Sequence, residues 1–404
     1  VSGQGCYVTD TEGTQWLDTV AALGPVLLGH CDSTVTNAVR EQLGCGTSFS
    51  LMHPLEGRAK NAVVSGYARR ACGAGLNRMR VIIRCDIGGQ AGMGHAVRCK
   101  ALALALECLG ADVQFVTKTP ALAHFVAPLS VVASWHAHMD TQNVDVYVLD
   151  THESWSDDSR WAMRGIHLVL IDPAPEKISR LCDLLIFPNA HQAPATIAQL
   201  EAAFPGHVLH GWEYVMLTPE MTQQASIPYA ERMHGPVVFC AGGSDPEGAL
   251  TQMAEWCGGM SKTTDWVFLL ANRPYPYGIG GQYPWATCRL FAEDGWQYLR
   301  AASLVVSMFG QTVYDCLALR TPVLTFARTA EDATALQRLS VAGVNVVPSA
   351  YAPLWPLLTH ERFCATVEAY RDQNIRQGMH AASASFLDGH GVTRVAEAIL
   401  GLIP

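Results

Sequence analysis

A histidine follows a glycine-rich loop in the segment RCDIGGQAGMGHAVRCKALALALECLGADVQFV, residues 84–116. Four glycines lie between positions 88 and 94, immediately before His95. Glycine lets the backbone approach a ligand closely, and a helix that begins near His95 would offer unpaired N–H groups to an anion. A neutral imidazole there can act as a general base. The pattern predicts a ligand-binding turn with a candidate catalytic histidine, although a strand-to-helix turn capped by an exposed His95 explains the same residues.

Two further loops could bind a nucleotide diphosphate. They lie in VVFCAGGSDPEG and in LVVSMFGQTVYDCLALRTPVLTF, each directly after an apolar run. Backbone amides at a helix start would contact phosphate oxygens, and a carboxylate one turn inside the helix would contact ribose hydroxyls. An ordinary turn and an ordinary helix N-cap remain the alternative. The candidate nucleotide-binding residues are Gly243, Ser244, Gly310, Gln311, Thr312 and Asp315.

Other polar and aromatic residues are weaker candidates. Tyr214, in HGWEYVML, could face a binding cleft or belong to the core. Four more lie at predicted strand ends, where they could bind ligand, cap helices or be solvated. They are Asp150, His152, Asp172 and Asn189. The histidines show no HxxxH or HExxH spacing, so no metal site is predicted.

The elements that must position these residues alternate between apolar runs and helical segments. The first set of candidate strands is RVIIRCD, DVQFVTK, LSVVAS, VDVYVLD, IHLVLID, CDLLIFPN and HVLHG. The second set is PVVFCAGG, TDWVFLLAN, ATCRLFAE, ASLVVSM, TPVLTFA and VNVVPS. Near-continuous apolar strands interleaved with helices indicate parallel sheets covered on both faces. Helices are predicted over residues 96–109 and 392–402, and the latter could pack back across the interface between the sheets.

These patterns predict an α/β protein in which two doubly wound domains face a cleft. We expect an N-terminal segment at 1–70, a linker at 71–79, a first sheet domain at 80–228 and a second at 229–404. Ligands bind outside the carboxyl ends of the strands in such sheets, which places the glycine loops at the cleft. The N-terminal segment is a short α+β appendage. Its sequence predicts strands joined by a turn at Glu12 and Gly13, and then a helix over residues 33–43.

Composition limits the partners of this chain. Its 404 residues include 49% hydrophobic and 16% charged residues, which is typical of a folded globular protein. A formal net charge of -9 argues against nucleic acid as a partner. No run of about 18 apolar residues and no signal-peptide pattern occurs, so we expect no membrane insertion and a cytoplasmic location. Thirteen cysteines with no CxxC pair predict reduced thiols.

From about residue 80 onward, the chain resembles the nucleotide-sugar hydrolases of pseudaminic acid biosynthesis and the related spore-coat polysaccharide proteins. The segments that carry the resemblance are RCDIGGQAGMGHAVRCKALALAL, LIDP, CDLLIFPN, GWEYVML, CAGGSDPEG, FGQTVYDCLALRTPVL and FLDGHGVTRVAEAI. The resemblance implies a GT-B architecture, with two Rossmann-like domains around a UDP-linked amino sugar. It implies no cofactor and no metal.

The same resemblance implies roles for individual residues. His95 would activate water for attack on the anomeric carbon, and UDP would leave. The sugar side would be shaped by Arg84, Asp86, Gly92, Met93 and Gly94, with Tyr214 as a further sugar-binding candidate, and the two later loops would bind UDP. The chain also departs from the family pattern. Gly88 replaces a serine, Asp315 replaces a glutamate, and Glu331 and Asp332 stand where an asparagine–glutamine pair is common.

The first 65 or so residues resemble the N-terminal segment of class III, pyridoxal-phosphate-dependent aminotransferases of the glutamate-1-semialdehyde type. The stretch that carries this likeness is GCYVTDTEGTQWLDTVAALGPVLLGHCDSTVTNAVREQLGCGTSFSLMHPLE. The family's Schiff-base lysine lies far downstream, in a large domain that this sequence lacks. We therefore expect no aminotransferase activity, and instead a structural role, such as binding a protein partner or self-association through residues 1–70.

Three functions compete at this point. The first is a nucleotide-sugar hydrolase that releases UDP from a deoxyamino sugar, on a route to a nonulosonic acid or a surface glycan. The second is a glycosyltransferase of the same architecture, in which an acceptor hydroxyl replaces water. The third is a non-catalytic nucleotide-sugar-binding protein, which the departures at Asp315, Glu331 and Asp332 favour.

Overall fold

The computed structural model describes most of the chain from residue 78 onward and part of the N-terminal segment. The described residues are 2–17, 30–31, 36–37, 78–85, 93–117, 130–132, 144–150, 165–173, 182–223, 227–243, 245, 248–262, 265–271, 278–341, 354–383 and 386–403. The chain divides into two units, residues 1–67 and 68–404.

The first unit contains a small antiparallel sheet. Its strands are β1 (Ser2–Gln4), β2 (Tyr7–Thr9) and β3 (Gln15–Leu17), in the order β1-β2-β3. The predicted turn is confirmed between β2 and β3, where Gly13 has φ +86°. The Asp10 carboxylate accepts hydrogen bonds from the turn amides of Glu12 and Thr14, which fixes the turn. Of the helix predicted over 33–43, residues 36–37 are helical and the others lie outside the described residues.

The second unit contains two parallel sheets. The first has seven strands in the order β10-β9-β8-β7-β4-β5-β6. Their bounds are β4 Arg80–Cys85, β5 Asp112–Val116, β6 Ser130–Val132, β7 Val146–Asp150, β8 His167–Ile171, β9 Leu184–Ile186 and β10 Val208–Leu209. All seven predicted strands of this region are confirmed.

The second sheet has five parallel strands in the order β13-β12-β11-β14-β15. Their bounds are β11 Val237–Cys240, β12 Trp266–Leu270, β13 Thr287–Leu290, β14 Leu304–Met308 and β15 Val323–Phe326. Five of the six strands predicted here are confirmed. The sixth, VNVVPS, lies outside the described residues.

Helices cover these sheets. Those around the first sheet are α1 Gly94–Cys108, α2 Pro194–Ala203 and, from the C-terminus, α12 Gly391–Leu400, whereas α3 Pro219–Gln223 places Met221 in a cluster of the second sheet. Those after α3 in the chain are α4 Tyr229–Arg232, α5 Ala249–Cys257, α6 Ile279–Gln282, α7 Phe291–Ala301, α8 Gln311–Ala318, α9 Ala330–Val341, α10 His360–Tyr370 and α11 Gln373–Ala382. Single 3₁₀ turns lie at Trp212–Tyr214 and Trp355–Leu357.

Each sheet buries side chains on both faces, as continuous apolar strands predict. In β4, Val81 and Ile83 point into one hydrophobic cluster with α1, while Ile82 points into the cluster on the opposite face with α2. The second sheet likewise has one cluster with α5 and α10 and another with α7, α8 and α9. The layers therefore form helix–sheet–helix sandwiches, and the carboxyl ends of the strands remain as the edges where loops can bind ligand.

The last helix returns to the first sheet. In α12, Val395, Ala396 and Ile399 are fully buried in the cluster that contains β4 and α1. The predicted helix at 392–402 is confirmed, and its packing answers the question that the sequence left open. The core of the first sheet thus includes residues from the C-terminal end of the chain. The predicted domain boundary at residue 229 therefore separates the strands of the two sheets, but α12 packs with the first sheet and not with the second. Among the described helices, none is long and apolar enough to cross a membrane.

We predict that Gly391→Ala weakens the fold, because a Cβ at this position would overlap the main-chain carbonyl of Val215. Two backbone segments would have to separate, which typically costs about 1–3 kcal/mol. The matched control is Gly378→Ala in α11, where the added Cβ meets open space. There alanine should raise the free energy of unfolding by about 0.5–1 kcal/mol. Urea unfolding of the two variants measures both effects, and equal shifts would contradict the close packing at α12.

Candidate functional site

The order of strands in the first sheet creates a crevice next to β4. From β4 the chain builds outward in one direction through β5 and β6, and then in the other through β7 to β10. A parallel sheet of this kind has its ligand crevice at the carboxyl ends of the two strands where the direction reverses. These strands are β4 and β7, and their last residues, Cys85 and Asp150, lie opposite each other in the ladder. Asp150 therefore lies at the crevice.

Helix α1 brings three side chains to the same place. His95 lies in its first turn, and Arg98 and Cys99 follow three and four residues later, which places all three on one side of the helix. Cys99 is buried against the sheet, and this fixes the rotation of the helix. His95 Nδ1 lies 2.5 Å from Asp150 Oδ1, and Cys99 Sγ donates to Oδ2 over 3.1 Å.

Arg98 binds the Asp150 carboxylate with two nitrogens. Nε donates to Oδ2 over 2.7 Å, and Nη2 donates to Oδ1 over 2.6 Å. This bidentate arrangement is the strongest geometry that an arginine and a carboxylate form. Asp150 has no solvent-exposed side-chain surface, so its charge is compensated entirely by protein groups. Removing either member would leave a buried unpaired charge, which typically costs 3–5 kcal/mol.

The arginine keeps Asp150 ionised. Burial by itself would raise the pKa of the Asp150 carboxyl, but the Arg98 charge, His95 and their hydrogen bonds outweigh burial and hold this pKa well below its usual value. Desolvation by itself would lower the pKa of Arg98, but the charge and hydrogen bonds of Asp150, together with the charge of Asp172, outweigh it and raise this pKa above its ordinary value. Both groups are therefore charged at physiological pH.

An ionised Asp150 determines which nitrogen of His95 carries the proton. A carboxylate only accepts hydrogen bonds, so the 2.5 Å approach of Oδ1 to Nδ1 requires the hydrogen to be on Nδ1. Arg98 Nη2 lies 3.0 Å from the same Nδ1, but both atoms then carry hydrogen and do not bond to each other. The lone pair of the neutral imidazole is on Nε2. A histidine oriented by a carboxylate in this way has the arrangement of a general base.

A second carboxylate extends the cluster along the sheet edge. Asp172 follows β8 and has φ +50°, an uncommon conformation for a residue other than glycine. Its Oδ2 accepts a bond of 3.4 Å from Arg98 Nη1. Its Oδ1 accepts bonds from the amides of Asn189 (3.3 Å) and Gln192 (3.4 Å) in the loop after β9. The carboxyl ends of β7, β8 and β9 are thus joined through Arg98 and Asp172.

The second sheet has its own crevice, where the strand order reverses between β11 and β14. The loop after β11 contains Gly243, and the loop after β14 leads through Gly310 into α8. Arg328, which follows β15, donates to the carbonyl of Ala241 over 2.8 Å and to that of Phe309 over 3.2 Å. The guanidinium of Arg328 therefore connects the two glycine loops and fixes the distance between them.

The start of α8 contains the other predicted nucleotide residues. Thr312 and Asp315 are buried on α8. The side-chain amide of Gln311 donates to the carbonyl of Met216 over 3.1 Å, and the Gln311 side chain also hydrogen-bonds Asp315. Burial raises the pKa of the Asp315 carboxyl to about 7, although the Gln311 bond opposes the shift. This carboxyl can be neutral near physiological pH, so it can donate as well as accept a hydrogen bond.

The two crevices meet at the start of α1. A Cβ on Gly94 would lie 3.9 Å from Cβ of Gln311, and a Cβ on Gly243 would overlap the side chain of Met93. Gly94 therefore lies close to the start of α8, and Met93 packs on the loop after β11. These contacts bring the first turn of α1, and with it His95, next to the candidate nucleotide residues of the second sheet.

The remaining predicted residues have other outcomes. Arg84 is buried within β4, in register with Val116 of β5 and Leu149 of β7. Tyr214 packs against the hydrophobic cluster of the first sheet. Their roles in sugar binding remain predictions. Five residues that the sequence singled out lie outside the described residues, and they are Asp86, Gly88, Gly92, His152 and Ser244.

Sequence reasoning missed several members of this site. Arg98 and Cys99 could have been found from their helical spacing to His95. No sequence signal indicates the clamp formed by Arg328, because the clamp binds main-chain carbonyls. Asp332, one of the departures from the family pattern, accepts the amide of Arg328 over 3.0 Å and so supports the start of α9. In the part of the chain that the structure describes, no group of histidine, cysteine and acidic side chains is arranged to hold a metal ion.

No protein family model matches the chain. It has short similarities to glutamate-1-semialdehyde 2,1-aminomutases, with 37% identity over 62 residues to a Listeria innocua protein and 45% over 56 residues to a Thermus thermophilus protein. These matches cover 15% and 14% of this chain. The chain spans only 14% and 13% of the length of those relatives. Matches of this length agree with the resemblance of the N-terminal segment.

Comparison with solved structures gives the fold. A putative UDP-N-acetylglucosamine 2-epimerase from Listeria monocytogenes has a TM-score of 0.55 at 15% identity, covering 81% of this chain and 97% of that one. S. aureus MnaA with UDP has a TM-score of 0.54 at 13% identity, with 80% and 98% covered. The calicheamicin glycosyltransferase CalG4 has 0.52 at 16%, with 81% and 100% covered. The chain therefore has a GT-B-like fold with two Rossmann-like sheets, as predicted.

We predict that Gly243→Ala disturbs the contact between the two crevices. The added Cβ would displace Met93, and with it the first turn of α1, so both stability and ligand binding should fall, with a stability loss of about 1–3 kcal/mol. Gly259→Ala is the control, because Gly259 is exposed and its added Cβ meets open space. Urea unfolding compares the variants. Equal stability of Gly243→Ala and the control would show that the loop has room for a side chain.

We predict that Asp315 makes the fold less stable as the pH rises from about 4 to about 7. Its raised pKa means that the folded chain retains this proton at pH values where the unfolded chain has lost it. The contribution of Asp315 to stability is therefore greatest at low pH and is lost as the pH rises through about 7. The effect is on the order of 4 kcal/mol. Asp315→Asn should therefore be more stable than the wild type at pH 8 and differ less at pH 5, as measured by thermal unfolding. Asp265→Asn, at an exposed position, is the control. Parallel pH curves for wild type and Asp315→Asn would contradict the shift.

Proposed function

We propose that the chain is a nucleotide-sugar-dependent enzyme that transfers a glycosyl group from a UDP-sugar to an acceptor hydroxyl. One observation supports this above the others. His95 is oriented by a buried, ionised Asp150 with Nε2 as the basic atom, in a cleft whose opposite side is formed by a helix start and a glycine loop. A base facing an anion-binding surface is the arrangement that transfer between a diphosphate and a hydroxyl needs.

In the proposed reaction, the acceptor oxygen attacks the anomeric carbon. His95 Nε2 takes the hydroxyl proton as the new C–O bond forms, and the bond between the anomeric carbon and the diphosphate oxygen breaks. Asp150 stabilises the resulting imidazolium through the bond to Nδ1, and Arg98 keeps the carboxylate in place. The amides at the start of α8, at Gln311 and Thr312, would stabilise the charge of the departing UDP.

The comparisons favour transfer over hydrolysis, which ranked first from the sequence. CalG4 is described as a glycosyltransferase, and another structural neighbour, from the kitacinnamycin system, is called a glycotransferase. Neighbours described as a putative UDP-N-acetylglucosamine 2-epimerase and as a complex with UDP support UDP as the nucleotide.

Hydrolysis remains the second candidate, because the segment RCDIGGQAGMGHAVRC carries the resemblance to the nucleotide-sugar hydrolases. The same base would then activate water, and the rest of the reaction would be unchanged. The product formed when a hydroxyl acceptor is added distinguishes the two reactions.

The proposal predicts that His95→Ala lowers UDP release by about 10²- to 10⁴-fold, the contribution of a positioned base, while UDP binding is retained. The assay uses a panel of UDP-amino sugars with and without hydroxyl acceptors, and calorimetry measures UDP binding. His210→Ala is the control, since His210 pairs with Glu201 at the exposed side of the first sheet.

The products decide among the functions. Sugar transferred to the added acceptor supports transfer, whereas free sugar in the presence of acceptor supports hydrolysis. Binding without turnover across the panel would support a non-catalytic nucleotide-sugar-binding protein. Unchanged turnover in His95→Ala would overturn the role of His95.

A further inference from the structure

A second histidine lies in the same cleft. His191 is in the loop between β9 and α2, in the first sheet domain, but its side chain contacts the second. Its ring packs edge-on against Phe309, the residue before Gly310, with 5.3 Å between ring centroids and a 74° interplanar angle. Its carbonyl accepts a bond of 3.1 Å from Arg338 of α9, which fixes the backbone. His191 is thus positioned from both sides of the cleft.

The hydrogen bonds of Tyr314, in α8, determine the tautomer of His191. The Ala190 amide donates to Tyr314 Oη over 3.1 Å, and Oη lies 2.7 Å from His191 Nδ1. Burial raises the pKa of Tyr314, so the hydroxyl keeps its hydrogen. Within the described residues, no other acceptor is placed to take that hydrogen, and a buried hydroxyl without an acceptor costs about 1–3 kcal/mol. Tyr314 therefore donates to Nδ1, and the hydrogen of the neutral imidazole is on Nε2.

The second ring nitrogen, Nε2, is the remaining donor of the ring. Among the described residues, no protein group hydrogen-bonds this nitrogen, and it is not one of the buried polar atoms that lack a partner. Desolvation lowers the pKa of His191 to about 4, although the nearby Asp172 carboxylate opposes the shift and the charges of Arg338 and Arg98 add to it. The imidazole is neutral at physiological pH, and Nε2 is a donor.

We propose that His191 contacts the substrate and donates its Nε2 hydrogen to an oxygen of the bound nucleotide sugar. The inference rests on the proposed function and adds a residue that binds the same ligand. Two observations place His191 beside both groups of candidate site residues. His191 lies against the Phe309–Gly310 loop on one side, and close to the charged pair of Arg98 and Asp172 on the other. The acceptor is a diphosphate oxygen or a sugar hydroxyl, both of which accept a hydrogen bond from a neutral N–H.

Two substitutions separate this role from a structural one. The asparagine oxygen of His191→Asn can take the place of Nδ1 and keep the bond to Tyr314, but it provides no donor at the Nε2 position. The longer amide of His191→Gln can reach the Nε2 position, but it loses the bond to Tyr314. If His191 binds substrate, asparagine should weaken affinity about tenfold with little change in Tm, and glutamine should restore part of that affinity. A purely structural role predicts the reverse order.

The measurements are calorimetric Kd values for UDP and for the best UDP-sugar of the panel, together with Tm. Weaker binding of both ligands in His191→Asn would identify a diphosphate oxygen as the acceptor, and weaker binding of only the UDP-sugar would identify a sugar hydroxyl. Tyr314→Phe is a further variant, in which the tautomer is no longer fixed and affinity should fall by about two- to fivefold. It carries the test if His191→Asn does not fold.

The failure of this inference is distinct from that of the proposed function. Wild-type protein that binds neither UDP nor any UDP-sugar would overturn both. Wild-type binding with unchanged affinity in folded His191→Asn, or in Tyr314→Phe where the former does not fold, would overturn only the role of His191. Retained affinity in His191→Asn with lost affinity in His191→Gln would assign His191 to structure alone.

Discussion

The buried ion pair between Arg98 and Asp150 is the interaction on which the site depends. A carboxylate without solvent exposure remains charged only because a guanidinium binds both of its oxygens. The charge of Asp150 then requires the hydrogen of His95 on Nδ1, which makes Nε2 the basic atom. Arg98 also reaches Asp172, so one cation connects the carboxyl ends of the neighbouring strands β7 and β8. A buried pair of this kind contributes little net stability compared with apolar packing, and its value lies in the orientation it imposes.

Contacts between the sheets determine where that base lies. The start of α1 packs on the second sheet through Met93 and Gly243, and the final helix returns to the first sheet. In the second sheet, Arg328 holds the two glycine loops together, as Arg98 holds the strand ends of the first sheet. It does so by binding main-chain carbonyls on both sides of the crevice. Each crevice thus has one arginine that fixes its geometry. The catalytic candidate and the candidate nucleotide residues come together because the loops of the two sheets are in contact.

The fold could be predicted from the sequence because the strands are continuous apolar runs and the loops between them are marked by glycine. The same reasoning located His95 and the start of α8, since the ends of parallel strands share one edge. It could not find His191, whose partner Tyr314 is 123 positions away and on the other sheet. Nor could it find the Asp150–Arg98 pair, although both residues lay within quoted segments. Strand order determines which strand ends are neighbours, and the order does not follow from local sequence. Burial of Asp315, which moves its pKa to about 7, likewise depends on packing across the sheet.

The most direct measurement of the central claim is the tautomer of His95. Side-chain ¹⁵N NMR of labelled protein at neutral pH, with His95→Ala to assign the signals, reports which ring nitrogen carries hydrogen in the neutral imidazole. The arrangement of Asp150 and Arg98 predicts a protonated Nδ1 and an unprotonated Nε2. A neutral His95 with its hydrogen on Nε2 would contradict the account, because the basic atom would then be Nδ1, which lies against the carboxylate.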